Sequence, residues 1–524
     1  MNEGEAQEQE PVFAMLAEPA THGGAAVKRI DTHAASVFLA GTRTFKVKRA
    51  VRFPFLDYST LDLRKKACEA ELEVNRAFAP EIYRGVVPIT REPDGRLALN
   101  GAGTPVEWAV EMRRFDERAT LDQLAQAGRI DLALADALGR TVAAAHATAP
   151  AVDADPWVKA LADYIDEHVA AFGETPDLFP PEGVDALARA SRAAYARIHP
   201  LLVERARRGL VRRIHGDLHL GNIVLLEGRP VLFDAIEFSP LMASGDVLYD
   251  LAFLLMDLTE RGLRPAANIV LNRYLVTTGR VEDFDGLATL PFYLSMRAAI
   301  RAKVTAARLQ SSTTEKKDAI AGIARKYFDV ARQLIEPPPP RLIAIGGLSG
   351  TGKSALARAL APDLGAAPGA VVLRSDIERK TLFGKDEQEK LPADSYAPDV
   401  TARVYASIAD KARRAAAAGH CAIVDGVFAK PQERAVMQRS ASALGVPFHG
   451  LFLDADLATR VARVGARRGD ASDADAAVAR AQESYDLGAL DWARIDVSGT
   501  PDKTLARTRA ALERLTRSAR ALTG

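Results

Sequence analysis

The sequence predicts two fold classes in series, an α+β domain followed by a parallel α/β sandwich, and three observations carry this. Pro337–Pro340 is a run of four prolines, which can neither continue a helix nor fill a central strand and so reads as a stiff spacer. After it, short apolar runs alternate with helix-compatible stretches, the pattern of a parallel sheet covered on both faces. Before it, strand-like segments come first and alanine-rich helical segments follow, with one strand–loop–strand unit at Val211–Phe238 between them.

The elements follow in order. At 524 residues the chain is too long for one hydrophobic core. Residues 1–24, opening on the polar MNEGEAQEQE, are expected to be disordered or irregular. Ser36–Ala40 and Thr44–Lys48 are short apolar runs separated by Gly41-Thr42-Arg43, a hairpin pattern. Ser59–Phe78 mixes charged and apolar residues at helical spacing, and strand-like stretches return at Tyr83–Thr90 and Val106–Met112. Helices are expected at Asp131–His146, Asp185–Arg207 and from Phe238 to about Gln333. Beyond the prolines the strands are Leu342–Gly346, Ala370–Leu373, Cys421–Val424 and Phe448–Leu453, with helices at Ser354–Leu360, Thr401–Ala418 and Gln432–Leu444. The expected domains are 25–335 and 341–524, joined by a linker at 336–340.

Composition excludes several classes of function. The chain is 48% hydrophobic and 26% charged, ordinary for a globular protein, and its formal net charge is +1. Such a balance gives no sign of a polyanionic partner, and the cluster Arg205, Arg207, Arg208, Arg212, Arg213 reads as a solvated helix face. The two cysteines, Cys68 and Cys421, form no CxxC pair, which argues against a disulfide framework or a zinc site. The acidic start is unlike a secretory leader, and no apolar run approaches the ~20 residues that span a bilayer. The expectation is a cytoplasmic protein with no nucleic-acid or membrane partner.

Gly347-Leu348-Ser349-Gly350-Thr351-Gly352-Lys353-Ser354 fits GxxxxGK[ST], after an apolar strand and before a helix-compatible run. That is the setting in which Gly347, Gly350, Thr351 and Gly352 let backbone N–H groups curl around phosphates at a helix N-terminus. Lys353 would reach the β- and γ-phosphates of ATP and Ser354 would ligate Mg²⁺. No NKxD base-reading motif is present, and the candidate second acidic strand ends Val424-Asp425-Gly426 rather than Asp-Glu. These features favour a small-molecule kinase resembling nucleoside-monophosphate or gluconate kinases. Asp376, after Leu373-Arg374-Ser375, could accept the proton of a substrate hydroxyl or cap a helix, and both could hold. Arg379 and Lys380 could hold an anionic substrate. Asp425 would hold the Mg²⁺ water shell or be structural. Arg463 and Arg467, four apart within the run Arg460, Arg463, Arg467, Arg468, could be lid arginines on the transferring phosphoryl group or a solvated basic face.

A second signal is Ile214-His215-Gly216-Asp217-Leu218-His219-Leu220-Gly221-Asn222-Ile223, followed by Val231-Leu232-Phe233-Asp234. HxDxxxxN with a further Asp at a strand end is how the protein-kinase-like fold places its catalytic carboxylates. Asp217, beside His215, would orient or deprotonate the substrate hydroxyl, and Asn222 and Asp234 would hold Mg²⁺. The string HGDLHLGN resembles the catalytic-loop signature of the aminoglycoside phosphotransferase group, which includes choline and homoserine kinase-like enzymes. The resemblance spans about residues 25–330 and implies a two-lobed, protein-kinase-like domain.

The resemblance also implies a strand lysine paired to a glutamate on the next helix. Phe45-Lys46-Val47-Lys48 offers Lys46 and Lys48 on one strand face, with Glu71 the best partner and Glu69 and Glu73 its rivals. A GxGxxG loop is absent, and Asp31–Ser36 stands in its place. Asp250 in the downstream GDVLYDLA is expected to be a structural hydrogen-bonding residue. As a whole the chain is similar to bacterial fusions known as bifunctional aminoglycoside phosphotransferase/ATP-binding proteins or AAA family ATPases. The resemblance implies two ATP- and Mg²⁺-using sites acting on small-molecule hydroxyls. The alternatives are a regulatory, ligand-binding first half beside one active P-loop kinase, or a non-catalytic ATP-dependent switch.

Overall fold

Ala35–Ala40 and Arg43–Lys48, each buried at most positions on both faces, pair as the first hairpin, which turns tightly at Gly41 with a left-handed φ of 55°. The two strands sit in a six-stranded antiparallel sheet in the order Val27–Asp31, Ala35–Ala40, Arg43–Lys48, Thr104–Arg113, Tyr83–Arg91, Leu97–Leu99. The helix Leu61–Arg76 covers one face, with Thr60 capping its start by accepting from Leu63 N–H. Its buried stripe is Arg64, Cys68, Glu71 and Asn75, three or four residues apart. Three of these four are polar: Glu71 and Asn75 have partners in the site described below, and Arg64 pairs with the buried Glu107 at 2.8 Å.

The computed structural model describes residues 3–53, 56–309, 314–466 and 470–523. Residues 3–17, expected to be irregular, instead form a helix, Glu3–Ala17. Val12, Phe13 and Leu16 enter the core of the other sheet face with Phe38, Phe45, Val47 and Ile89. The polar first turns hid a short apolar patch at the helix end, too brief to register as a period.

The chain divides into two compact units, Met1–Leu161 with Glu204–Asp257, and Ala162–Val203 with Leu258–Gly524. In the first unit the sheet is joined by the hairpin Ile223–Leu226/Arg229–Leu232, which carries the segment from Leu220 to Asp234. The second unit contains the helices Asp155–Gly173 (from Ala162), Pro181–Arg207 (to Val203), Arg264–Thr278, Leu290–Ala307 and Thr314–Ile335, so the tetraproline lies within it. It also contains a five-stranded parallel sheet ordered Val371–Arg374, Ala422–Asp425, Leu342–Gly347, Phe448–Asp454, Ala493–Asp496. Ile343, Ile345, Ile423, Leu451 and Leu453 from these strands pack with Leu356 and Leu360 of the helix Lys353–Leu360. All central strands are apolar on both faces, as a doubly covered parallel sheet requires. No helix among the described residues is long and apolar enough to cross a membrane.

Candidate active sites

In the first unit the strand Arg43–Lys48 and the helix Leu61–Arg76 bring both lysines to one carboxylate. Lys46 Nζ lies 2.9 Å from Glu71 Oε1 and 2.6 Å from Asp234 Oδ1. Lys48 Nζ reaches the other oxygen of Glu71 and also Glu237. The two lysines differ in depth. The Lys46 side chain is 15% exposed beside a half-open Asp234, whereas Lys48 is 3% exposed between two buried carboxylates. Burial disfavours both ammonium charges, but Asp234 and Glu71 outweigh it at Lys46, and Glu71 and Glu237 at Lys48, so both lysine pKa values stand above the ordinary range. Glu71 is likewise opposed by burial yet held ionised by the two lysines. Its rivals Glu69 and Glu73 lie on the exposed side of the helix, Glu69 against Lys65.

The catalytic-loop segment is hung from Asp250. Its carboxylate accepts from His215 N–H and Gly216 N–H, each at 2.9 Å, and contacts His146 Nε2 at 3.1 Å. Gly216 has φ 82° and a Cβ there would meet Ile236 and the Met242 carbonyl at 3.1 Å, so the turn needs glycine. Asn222 Nδ2 donates to Asp217 Oδ2 at 2.9 Å and to the Asp217 carbonyl at 3.0 Å, which locks the two side chains together. His215 is buried and contacts the Phe233 carbonyl at 2.9 Å. Burial lowers its pKa, outweighing the nearby Asp250 and Asp217.

Asp234 sits in the left-handed region at φ 60°. Such a backbone costs a non-glycine residue on the order of 1–3 kcal/mol and persists only where its surroundings hold it. Two side chains hold it here. Tyr83 Oη accepts from Asp234 N–H at 3.1 Å, and the Asn75 amide clamps Ala235, accepting from its N–H at 2.7 Å and donating to its carbonyl at 3.2 Å.

In the second unit the P-loop joins Leu342–Gly347 to the helix Lys353–Leu360. Gly347, Gly350 and Gly352 all have positive φ, and a Cβ on Gly350 would lie 2.5 Å from the Arg460 carbonyl. The turn is tightened by Thr351, whose hydroxyl donates to the Leu348 carbonyl at 2.8 Å. Lys353 Nζ donates to the same carbonyl at 3.3 Å. Ser354 donates to Asp425, whose carboxylate is buried. That hydroxyl–carboxylate pair at the foot of a glycine cradle has the oxygen donors and the shape that Mg²⁺ bound to a triphosphate needs. In the first unit the matching oxygens belong to Asn222 and Asp234. No group of three or more His, Cys, Asp or Glu among the described residues could hold a metal alone, so either site would complete its shell with phosphate oxygens.

Asp376 lies in the first turn of the helix Ser375–Leu382, whose N-cap is Arg374, so it is not the cap. Burial and then the charge of Asp425 raise its pKa above the carboxylate range, against the pull of Arg374 and Lys353 and a hydrogen bond from Ser472. Arg374 bridges Asp470 at 2.7 Å and Asp425 at 3.6 Å. The two cations expected to hold an anionic substrate have internal partners. Arg379 donates to the Ser395 carbonyl at 2.7 Å, and Lys380 donates to the Glu387 carbonyl at 2.6 Å and pairs with Asp473 at 3.1 Å. Arg463 donates to the Val497 carbonyl at 2.9 Å, and Arg467 lies outside the described residues.

Four participants carried no sequence signal. Gln9 and Glu237 support the lysine strand, Asn75 supports Asp234, and Gln482 accepts from Ser349 N–H of the P-loop at 2.7 Å. All sit far in sequence from what they touch; Glu237 lies in the Val231–Phe238 stretch after the catalytic loop, and the other three belong to no motif.

Comparison with known proteins follows the same division. Residues 32–287 match the phosphotransferase enzyme family, and residues 342–486 match an AAA domain. An uncharacterized protein of Mycobacterium tuberculosis and one of Mycobacterium bovis are each 30% identical over 490 residues, covering 91% of this chain and 93% of theirs. Among solved structures, a gluconokinase from Sinorhizobium meliloti is 20% identical, covers 35% of this chain and 98% of its own, and has a TM-score of 0.26. A choline/ethanolamine kinase family protein from Mesorhizobium loti is 14% identical, with coverage of 62% and 99% and a TM-score of 0.37. By its near full-length match, the chain belongs to one family with the two mycobacterial proteins, in which a phosphotransferase domain precedes a P-loop domain of kinase type.

Proposed function

We propose that the chain is a bifunctional phosphotransferase, moving the γ-phosphoryl group of ATP to small-molecule hydroxyls at two separate sites in the cytoplasm. The observation that carries this reading is the intact set in the first unit. Lys46 bridges Glu71 and Asp234 while Asp217 is locked to Asn222, so neither a lysine nor a carboxylate needed for phosphoryl transfer is missing. In that reading Lys46 neutralises phosphate charge, and Asp217 orients the acceptor hydroxyl and takes its proton as the oxygen bonds to phosphorus. Asn222 and Asp234 would hold Mg²⁺, which screens the phosphates when bound. Lys48 supports Glu71 from behind.

In the P-loop half, Lys353 and the backbone N–H groups of Gly350–Gly352 would take the phosphates, and Ser354 and Asp425 the Mg²⁺. Asp376 would take the proton from the acceptor. Burial and the charge of Asp425 raise its pKa above the ordinary carboxylate range, which makes it the stronger base. Arg463 and Arg467 would come to the phosphoryl group only if their helix moves, since Arg463 is engaged with Val497. By function the chain is read as domains 25–335 and 341–524, a division that cuts across the compact unit that contains Leu258–Gly524.

Calorimetric titration with a non-hydrolysable ATP analogue and Mg²⁺ tests the count of sites. Two nucleotides per chain are expected, falling to one in Lys46→Ala and one in Lys353→Ala. A single site in the unaltered chain sinks the bifunctional reading.

A further inference from the structure

Within the second unit, the P-loop sheet ends at the strand Val371–Arg374, which has a neighbouring strand on one side only. On that side Val371 N–H donates to the Cys421 carbonyl at 2.9 Å. The opposite edge would present Val372 N–H and the Ala370 carbonyl to whatever covers it. It is covered by asparagine side chains of the helix Arg264–Thr278. Val372 N–H donates to Asn272 Oδ1 at 2.7 Å, and the Ala370 carbonyl accepts from Asn272 Nδ2 at 3.2 Å and from Asn268 Nδ2 at 3.0 Å. A primary amide presents an acceptor and a donor as a peptide group does, so Asn272 continues the ladder where a sixth strand would stand.

The surrounding contacts are built around this pair. Asn268 is 2% exposed, and a Cβ on Gly369, which has φ 125°, would lie 2.9 Å from its amide nitrogen. Arg273 forms a two-pronged ion pair with Glu387, whose carbonyl also holds Lys380. Asp285 accepts from Arg414 at 2.7 Å, and the Leu287 carbonyl meets His420 Nε2 at 3.1 Å. Two residues past Val372 comes Arg374, bridged to Asp425 and Asp470, and two further on comes Asp376. The edge strand therefore reaches the P-loop site with its lateral position set by Ala422–Asp425 on one side and by Asn272 on the other.

We infer that Asn272, assisted by Asn268, is a positioning residue of the P-loop site. A helix from the segment matched to the phosphotransferase family fixes the strand that presents Arg374 and Asp376. The inference rests on reading the P-loop half as a phosphoryl-transfer site. It implies that the two matched segments are not independent modules on a string, because one completes the sheet edge of the other.

The test uses the full chain carrying Lys46→Ala, so that only the P-loop site turns over. Asn272→Leu keeps the branched side-chain shape and removes both hydrogen bonds to the edge strand, together with those to Asn268. Two readouts are taken, amide hydrogen exchange across residues 371–376 and Mg·ATP hydrolysis with water as acceptor. Exchange at Val372 is expected to rise at least about tenfold. A displaced Asp376 is expected to lower kcat about tenfold with KM for ATP within about twofold, because Asn272 touches no P-loop residue. A lower melting temperature with kcat unchanged would make Asn272 merely structural and overturn the inference. If Asn272→Leu does not fold, Asn272→Asp, which keeps the acceptor for Val372 and loses the donor, is held to the same kcat criterion. If the parent chain binds no Mg·ATP analogue, the kinase reading of this half fails on its own, and if it binds without hydrolysing, exchange at Val372 alone decides. Unchanged exchange at Val372 in the variant would then still refute the clamp.

Discussion

Lys46 and Lys48 occupy one strand face two residues apart and share Glu71, yet substituting each by Met should give opposite phenotypes. Lys48 is 3% exposed, with Glu71 fully buried and Glu237 at 6%. Removing it leaves Glu237 with the Tyr58 hydroxyl at 3.1 Å and the more distant charges of Lys46 and Arg213, while Glu71 keeps Lys46. Breaking a buried ion pair in this way costs about 3–5 kcal/mol, which in a unit of this size corresponds to a fall in Tm of roughly 6–20 °C. Removing Lys46 is milder for the fold. Glu71 keeps Lys48, and Asp234, whose side chain is 44% exposed, returns to water, so the stability change should be about 1 kcal/mol or less. In the proposed reading Lys46→Met loses a charge-assisted phosphate contact of about 2–3 kcal/mol, or roughly 30–160-fold in affinity for the Mg·ATP analogue. The assay is paired, in a Lys353→Ala background: thermal unfolding followed by fluorescence, and titration with Mg·ATP analogue. The argument is refuted if Lys48→Met unfolds like the parent while losing nucleotide, or if Lys46→Met loses more than a few degrees of Tm while binding normally.

Two further outcomes are expected. Gln9→Ala should lower the Tm of the first unit and weaken analogue binding at its site with no change at the P-loop. Gln9 donates to the Lys48 carbonyl at 2.9 Å and to Glu107 at 2.7 Å and accepts from Ala50 N–H at 2.8 Å. Losing it strands the Lys48 carbonyl and the Ala50 N–H at about 1–3 kcal/mol each before relaxation, while Glu107 keeps Arg64 at 2.8 Å, and a Tm within about 1 °C of the parent would contradict this account. In the Lys46→Ala chain, ATP turnover should fall on acidification at a pH above that expected for an ordinary aspartate. Asp376 must be ionised to act as base, and burial with Asp425 raises its pKa. The same shift favours the fold at acid pH, and that contribution is lost as pH rises through the raised value. A pH–rate profile flat down to the ordinary aspartate range would remove Asp376 from the role.

The parts that could be read from sequence are those whose chemistry is local. Gly347–Ser354 and His215–Asn222 are contiguous because a backbone cradle and a catalytic loop must be, and Asp234 follows at the end of the next hairpin. Strand–helix alternation after Pro340 is enough for a parallel sheet, since the central strands Leu342–Gly347 and Ala422–Asp425 are buried on both faces. The lysine choice was not legible, because a period of two puts both side chains on the same face and only depth in the lobe separates them. Arg379 and Lys380 look the same in sequence whether they await an anion or are matched by Ser395, Glu387 and Asp473. The helix Glu3–Ala17 was missed because its buried residues are one glutamine and a short apolar end, and it precedes the segment matched to the phosphotransferase family.

In the proposed reading the two sites meet the same demand, a fixed array of charges around a triphosphate, with different reserves of strain. In the P-loop the unusual backbone falls on Gly347, Gly350 and Gly352, where positive φ is nearly free. In the first unit it falls on Asp234, whose left-handed conformation is held by the Tyr83 hydroxyl and by Asn75 on the helix that also carries Glu71. Glu71 in turn holds both lysines, and Lys48 is tied through its carbonyl to Gln9. The strain at Asp234 is thus sustained by tertiary contacts from the helix Leu61–Arg76 and the strand Tyr83–Arg91, not by residue type. Loosening any of these should release Asp234 before it unfolds the sheet. A P-loop built on glycines has no equivalent weak point in its own backbone, and its dependence on distant residues lies instead at the sheet edge that Asn272 completes.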